Sequence, residues 1–136
     1  RTRQPLTTVV DTNVVAALML PTAANAEVAA LLRQDPDWRL PPLWRSEFRQ
    51  VLLKYVRADL ATPEQALSLW HKVLERFEMS EQPVAGHQVL ALAIATGCST
   101  YDAEFVVLAR QLNCRLLTFD RKLLQLFPDL AMKPGS

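Results

Sequence analysis

The sequence predicts an α/β domain in which a parallel sheet is covered by helices on both faces. Three observations predict it. Short apolar, β-branched runs such as LTTVV (6–10) and CRLLTFD (114–120) recur along the chain. Helical stripes lie between them, and the strand runs are apolar nearly throughout, the pattern of strands buried on both faces. At 136 residues, half of them hydrophobic, the chain is expected to form one domain over 1–136 with a sizeable core. The apolar runs fall well short of the roughly 20 residues a membrane span needs, so a soluble, cytoplasmic protein with no membrane partner is expected. No signal peptide is expected, because Asp11 and Asn13 interrupt the apolar segment near the start.

Taken in order, LTTVV reads as a buried strand. The Ala-rich stretch from Asn25 to Leu32 carries Val28, Leu31 and Leu32 at helical spacing. WRL (38–40) is a second strand, stopped by Pro41 and Pro42. From Trp44 to Ala58, apolar positions 44, 48, 51, 52 and 55 make a helical stripe. The next helix, within ATPEQALSLWHKVLERFEM (61–79), opens with Thr62 as N-cap, Pro63 at the first helical position and Gln65 closing a capping box. Its stripe is Leu67, Trp70, Leu74 and Phe77. A short extended piece spans Gln82 to Ala85. A helix from His87 to Thr96 ends at Gly97, and Ser99 caps another from Tyr101 to Leu112. CRLLTFD is a strand running into a polar turn, RKLLQLF a short helix, Leu130 to Met132 a last strand, and PGS a frayed end. Cys98 and Cys114 form no CxxC pair and suit a reducing compartment as small buried hydrophobes.

A parallel sheet has a geometric consequence, because ligand sites collect at the carboxyl edge of its strands. Asp11 follows the first strand, and Glu47 lies in the first turn of the helix after the second. Asp102 lies in the first turn of the helix before CRLLTFD, and Asp120 closes that segment. All four acids therefore belong to one edge. Each alone is commonplace, as a turn aspartate or a helix-start acid complementing the dipole. Together, four like charges would repel and raise one another's pKa values unless a cation neutralised them, and a divalent metal answers that need. Oxygen ligands without nearby Cys or His favour Mg²⁺ or Mn²⁺ over zinc. His71 and His87 read as surface or capping groups that the chemistry does not need.

The segments VVDTN, LWRSEFRQVL, STYDAEFVVLA and LLTFD, in this order and spacing, resemble the PIN-domain nucleases, in particular the VapC toxins of bacterial type II toxin-antitoxin pairs. The resemblance covers nearly the whole chain. It implies a three-layer αβα fold around a five-stranded parallel sheet, and a Mg²⁺- or Mn²⁺-dependent ribonuclease. Asp11, Glu47, Asp102 and Asp120 match the acidic ligands of the family. Asn13 and Thr118 match polar helpers that orient carboxylates or the attacking water, with Thr12 and Ser99 behind them. Glu104, about 200° around the helix from Asp102, is expected to face solvent. The resemblance also implies an RNA substrate, a VapB-type antitoxin whose tail covers the acidic site, and a homodimer.

The net charge of +1 is nearly neutral, but setting four acids against a metal leaves a clear basic excess. Arg45 and Arg49 flank Glu47, and Arg121 and Lys122 follow Asp120, so these cations are expected to rim the same edge and meet RNA phosphates. A phosphoacceptor receiver domain fits less well, since it wants an acidic pair after the first strand where Thr12 and Asn13 stand. A non-catalytic PIN module binding RNA or protein is the alternative that metal-dependent cleavage would discriminate.

Overall fold

The structure is a computed structural model and describes residue 4 and residues 6–136. Its strands are β1 (Thr8–Val10), β2 (Trp38–Arg39), β3 (Arg115–Leu117) and β4 (Ala131–Met132), ordered β2-β1-β3-β4. Every pairing is parallel, with Val9 opposite Leu116 and Val10 opposite Leu117. Successive strand side chains point to opposite faces. Val10 and Leu117 accordingly enter one core, and Val9 and Leu116 the other. The first core belongs to α1 (Thr12–Met19), α2 (Asn25–Gln34), α3 (Trp44–Arg57) and α4 (Pro63–Phe77). The second belongs to α5 (Gly86–Thr96), α6 (Thr100–Gln111) and α7 (Arg121–Leu126). This is the three-layer αβα arrangement.

Four strands are present among the described residues, where five were expected. The expected strand at Gln82 to Ala85 shrinks to one parallel bridge between Leu40 and Glu81. The Leu40 N–H donates to Ser80 at 3.2 Å and the Gln82 N–H to Leu40 at 2.9 Å. The next rung would need an N–H from Pro42, which has none. On the other side a 3₁₀ turn, Glu78–Ser80, ends the ladder.

Helix α1 was not assigned from sequence, because Val14 and Val15 continue the β-branched run of the strand. It forms because Asp11 turns the chain at its N-cap and Val14, Val15, Ala16 and Ala17 bury against the sheet. Helix α4 begins as expected, with Thr62 and Gln65 in a reciprocal capping box. Its buried stripe is shifted, however: Val73 and Phe77 are buried while Leu67 is 63 % exposed. Gly97 takes the left-handed conformation (φ 79°) that ends α5, and Ser99 caps α6. The end expected to fray instead buries Pro134. Among the described residues no single helix is long and apolar enough to cross a membrane.

Aromatic packing fixes the start of α3, which carries Glu47. Trp38 stacks on Phe77 with ring centres 6.0 Å apart, and Trp44 meets Phe48, Trp70 and Phe77 within 6.2 Å. The Trp44 indole N–H also donates to Glu81 at 2.7 Å, which docks the helix onto the sheet edge. The Trp38 indole N–H, in contrast, is buried with no partner among the described residues.

Candidate active site

Asp11 sits where β1 becomes α1. It is 7 % exposed, and both its oxygens are engaged by neutral donors: the Thr12 N–H at 2.8 Å on Oδ1 and the Thr118 hydroxyl at 2.8 Å on Oδ2. Burial, reinforced by Asp102 and Asp120, outweighs those bonds and raises its pKa from 3.8 to about 6. The Thr118 hydroxyl in turn accepts the Asp120 N–H at 3.0 Å. Asp120 Oδ1 caps α7, accepting from the Lys122 and Leu123 N–H groups.

Glu47 reaches the same edge from the first turn of α3, half-buried beside the buried Phe48. Its Oε1 accepts the Thr12 hydroxyl at 2.6 Å. Desolvation raises its pKa, with Asp11, Asp102 and Glu104 adding repulsion. Asp102, in the first turn of α6, is raised by desolvation and then by Asp120, while Ser99 and Lys122 draw it down. The four acids expected at the carboxyl edge are thus electrostatically coupled there.

Several expected placements differ. Asn13 is exposed and makes no hydrogen bond to these acids among the described residues, so the polar contact expected of it is made by Thr12. Glu104, expected to face solvent, is partly buried and adds to the repulsion on Glu47. Arg45 is taken up by an ion pair with Glu81, and the Arg49 guanidinium lies 4.9 Å from the centre of the Trp70 ring. Neither is a free rim cation; Arg121 and Lys122 are exposed beside Asp120. His71 and His87 are exposed. Both cysteines are free.

The ion pairs Arg39–Asp37, Arg45–Glu81 and Arg115–Asp35 all lie outside the quartet. Among the described residues no three acidic, histidine or cysteine side chains are arranged to hold a metal ion as they stand. The donor chemistry nonetheless fits a hard divalent cation: Asp11, Glu47 and Asp102 are desolvated and repelled by neighbouring carboxylates, Asp120 acts on Asp11 and Asp102, and no ion pair among the described residues reaches the four.

Comparison with known proteins decides the family. The PIN domain family model matches residues 8–127. The chain belongs to the PIN-domain family. Within it, the chain falls among the VapC ribonucleases. It is 32 % identical to VapC ribonuclease Mb0985 of Mycobacterium bovis over 116 residues, 77 % of this chain and 88 % of that one. It is also 29 % identical to ribonuclease VapC3 of Pyrobaculum aerophilum over 125 residues, 90 % of this chain and 95 % of that one. Two solved structures share the fold. PAE2754 from Pyrobaculum aerophilum superposes with TM-score 0.72 at 23 % identity, covering 93 % of this PIN-domain chain and 83 % of the other. FitAcB from Neisseria gonorrhoeae gives 0.68 at 20 %, covering 93 % and 97 %.

Proposed function

We propose that this VapC-family chain, read as one PIN domain over 1–136, is the toxin of a VapBC pair. It cleaves RNA phosphodiester bonds with Mg²⁺ or Mn²⁺ held by Asp11, Glu47, Asp102 and Asp120. The observation that supports the metal site is a quartet of coupled carboxylates, three of them desolvated, that no ion pair among the described residues neutralises. A bound divalent ion would neutralise charge on the phosphate and lower the pKa of a water for in-line attack. The chain supplies the frame. Thr118 holds Asp11 and the Asp120 backbone together, Ser99 restrains Asp102, and Arg121 and Lys122 offer exposed cations to RNA phosphates.

The VapC-family relatives support an RNA substrate and a VapB-type antitoxin, and we read the chain as acting in the cytoplasm. A homodimer is supported by α5, which has no Lys, Arg, Asp or Glu yet leaves Leu90 and Ile94 exposed. Light scattering should give twice the chain mass, and a strict monomer at working concentration removes the homodimer.

The cleavage test uses the purified chain with Mg²⁺ or Mn²⁺, with EDTA, and with folded Asp102→Asn, His71→Ala and His87→Ala variants. EDTA should stop cleavage. Asp102→Asn should lose at least ~100-fold, about 2.7 kcal/mol of transition-state stabilisation, and the histidine variants should keep it. Cleavage surviving both EDTA and Asp102→Asn rejects the metal mechanism; no cleavage of any RNA under any metal favours a non-catalytic binding module.

A further inference from the structure

We propose that Thr12 is a positioning residue that ties Glu47 on α3 to Asp11 at the end of β1, fixing two ligands from separate elements in one arrangement. The inference rests on the metal-site reading above.

Thr12 is the first residue of α1 and is only 4 % exposed. A buried hydroxyl needs a partner, and this one donates to Glu47 Oε1 at 2.6 Å, across 35 residues of sequence. Its backbone N–H donates to Asp11 Oδ1 at 2.8 Å. One residue therefore holds both carboxylates, through two different donors.

Glu47 needs such a tether more than its neighbours do. Asp11 is buried and doubly bonded, and Asp120 is locked as a helix cap. Glu47 has a longer side chain, is half-buried, and is pushed outward by Asp11, Asp102 and Glu104. Among the described residues, the Thr12 hydroxyl is the one hydrogen-bond donor to its carboxylate, and no ion pair reaches it. With Oε1 occupied by that donor, Oε2 is left for a cation.

Thr118 does the equivalent work on the opposite side, joining Asp11 to the Asp120 backbone. The two threonines thus form a hydrogen-bonded chain running from Glu47 through Asp11 to the Asp120 main chain. Within the DTN segment it is the buried Thr12 whose hydroxyl reaches Glu47 on α3, while Asn13 is exposed.

The test is a Mn²⁺ titration read by electron paramagnetic resonance of the free ion, on the purified full chain and without RNA. Thr12→Val keeps shape and burial but removes the hydroxyl. It should weaken Mn²⁺ binding by about 10-fold, at the low end of the ~10–100-fold that loss of a ligand's hydrogen-bond partner causes. Thr12→Ser, which keeps the donor, should restore most of that affinity. In a Glu47→Ala background, Thr12→Val should add no further loss, because Thr12 acts through Glu47. Should the valine variant fail to fold, Thr12→Ala takes its place in the same series.

Wild-type affinity in the valine or alanine variant overturns the proposal. So does an equal loss in the Glu47→Ala background, which would mean that Thr12 acts through some other group. A wild-type chain that binds no Mn²⁺ rejects the metal-site reading itself and this inference with it, a result distinct from both of those.

Discussion

At the amino edge of the sheet Asp35 is 1 % exposed and lies 3.1 Å from the Arg115 guanidinium, while also accepting the Leu6 N–H at 2.8 Å. At the carboxyl edge Asp11 is 7 % exposed and among the described residues receives only a backbone N–H and a threonine hydroxyl, with two more aspartates acting on it. The residue type and the burial match, yet the surroundings are opposite in sign. Asp37 extends the first pattern with its own partner, Arg39, at 2.8 Å. Glu47 and Asp102 extend the second, each with a raised pKa. A buried carboxylate that carries its counterion within the chain is a structural element. One surrounded by other carboxylates stores repulsion that an external cation can relieve, and that is the difference between scaffold and site in this molecule.

The largest expected effect is at the amino edge. Arg115→Ala removes a guanidinium from the buried Asp35 carboxylate, which keeps the Leu6 N–H, and should destabilise the chain by about 3 kcal/mol, the low end of what removing one partner of a buried pair costs. Urea unfolding measures it, and the loss should be the same with and without Mn²⁺. A loss under about 1 kcal/mol, typical of a surface pair, would break the contrast drawn between the two edges.

The smaller effect is at the carboxyl edge, in metal-free protein. Asp11 has a folded pKa near 6 against 3.8 in an ordinary environment, so the folded chain holds its proton more tightly than the unfolded chain. Stability in EDTA should therefore fall as pH rises from about 4 to about 6 and level off above, by up to about 3 kcal/mol. Asp11→Asn should weaken that dependence, leaving the part that Glu47 and Asp102 contribute, and melt higher than the parent at pH 7.5 in EDTA. Its amide oxygen can still accept from the Thr12 N–H, and its NH₂ can donate to the Thr118 oxygen. Mn²⁺ at a hundredfold excess over its dissociation constant should return roughly 2.7 kcal/mol to the parent and much less to the variant. A lower melting point for Asp11→Asn in EDTA, with no metal response in the parent, would make Asp11 a satisfied structural group like Asp35.

Where a feature depended on neighbours in sequence, it was legible. The capping box of Thr62 and Gln65, the Gly97 stop and the Ser99 cap are all present. The assignment of Asp11, Glu47, Asp102 and Asp120 to one edge needed only a parallel sheet and the positions of strand and helix ends. Where a feature depended on a partner far along the chain, it was not. Arg45 looks like a free cation beside Glu47 until Glu81, 36 residues away, binds it. Leu67 belongs to an apolar stripe whose buried centre is set by how α4 rests on α3, and Glu104 is partly buried and acts on Glu47, a charge far away along the chain.

The sequence by itself determined the α/β class, the order of most elements and the placement of four acids at one sheet edge, because helix stripes, caps and strand runs are written within a few residues of where they act. Tertiary structure alone decided that α1 is a helix, since burial of Val14 and Val15 on the sheet overrides their strand preference. It also decided that the fifth strand stops at one bridge, since Pro42 has no N–H to offer the next rung. And it decided that Thr12, not Asn13, grips Glu47, because which of two adjacent polar residues turns inward is fixed by the helix that packs over them.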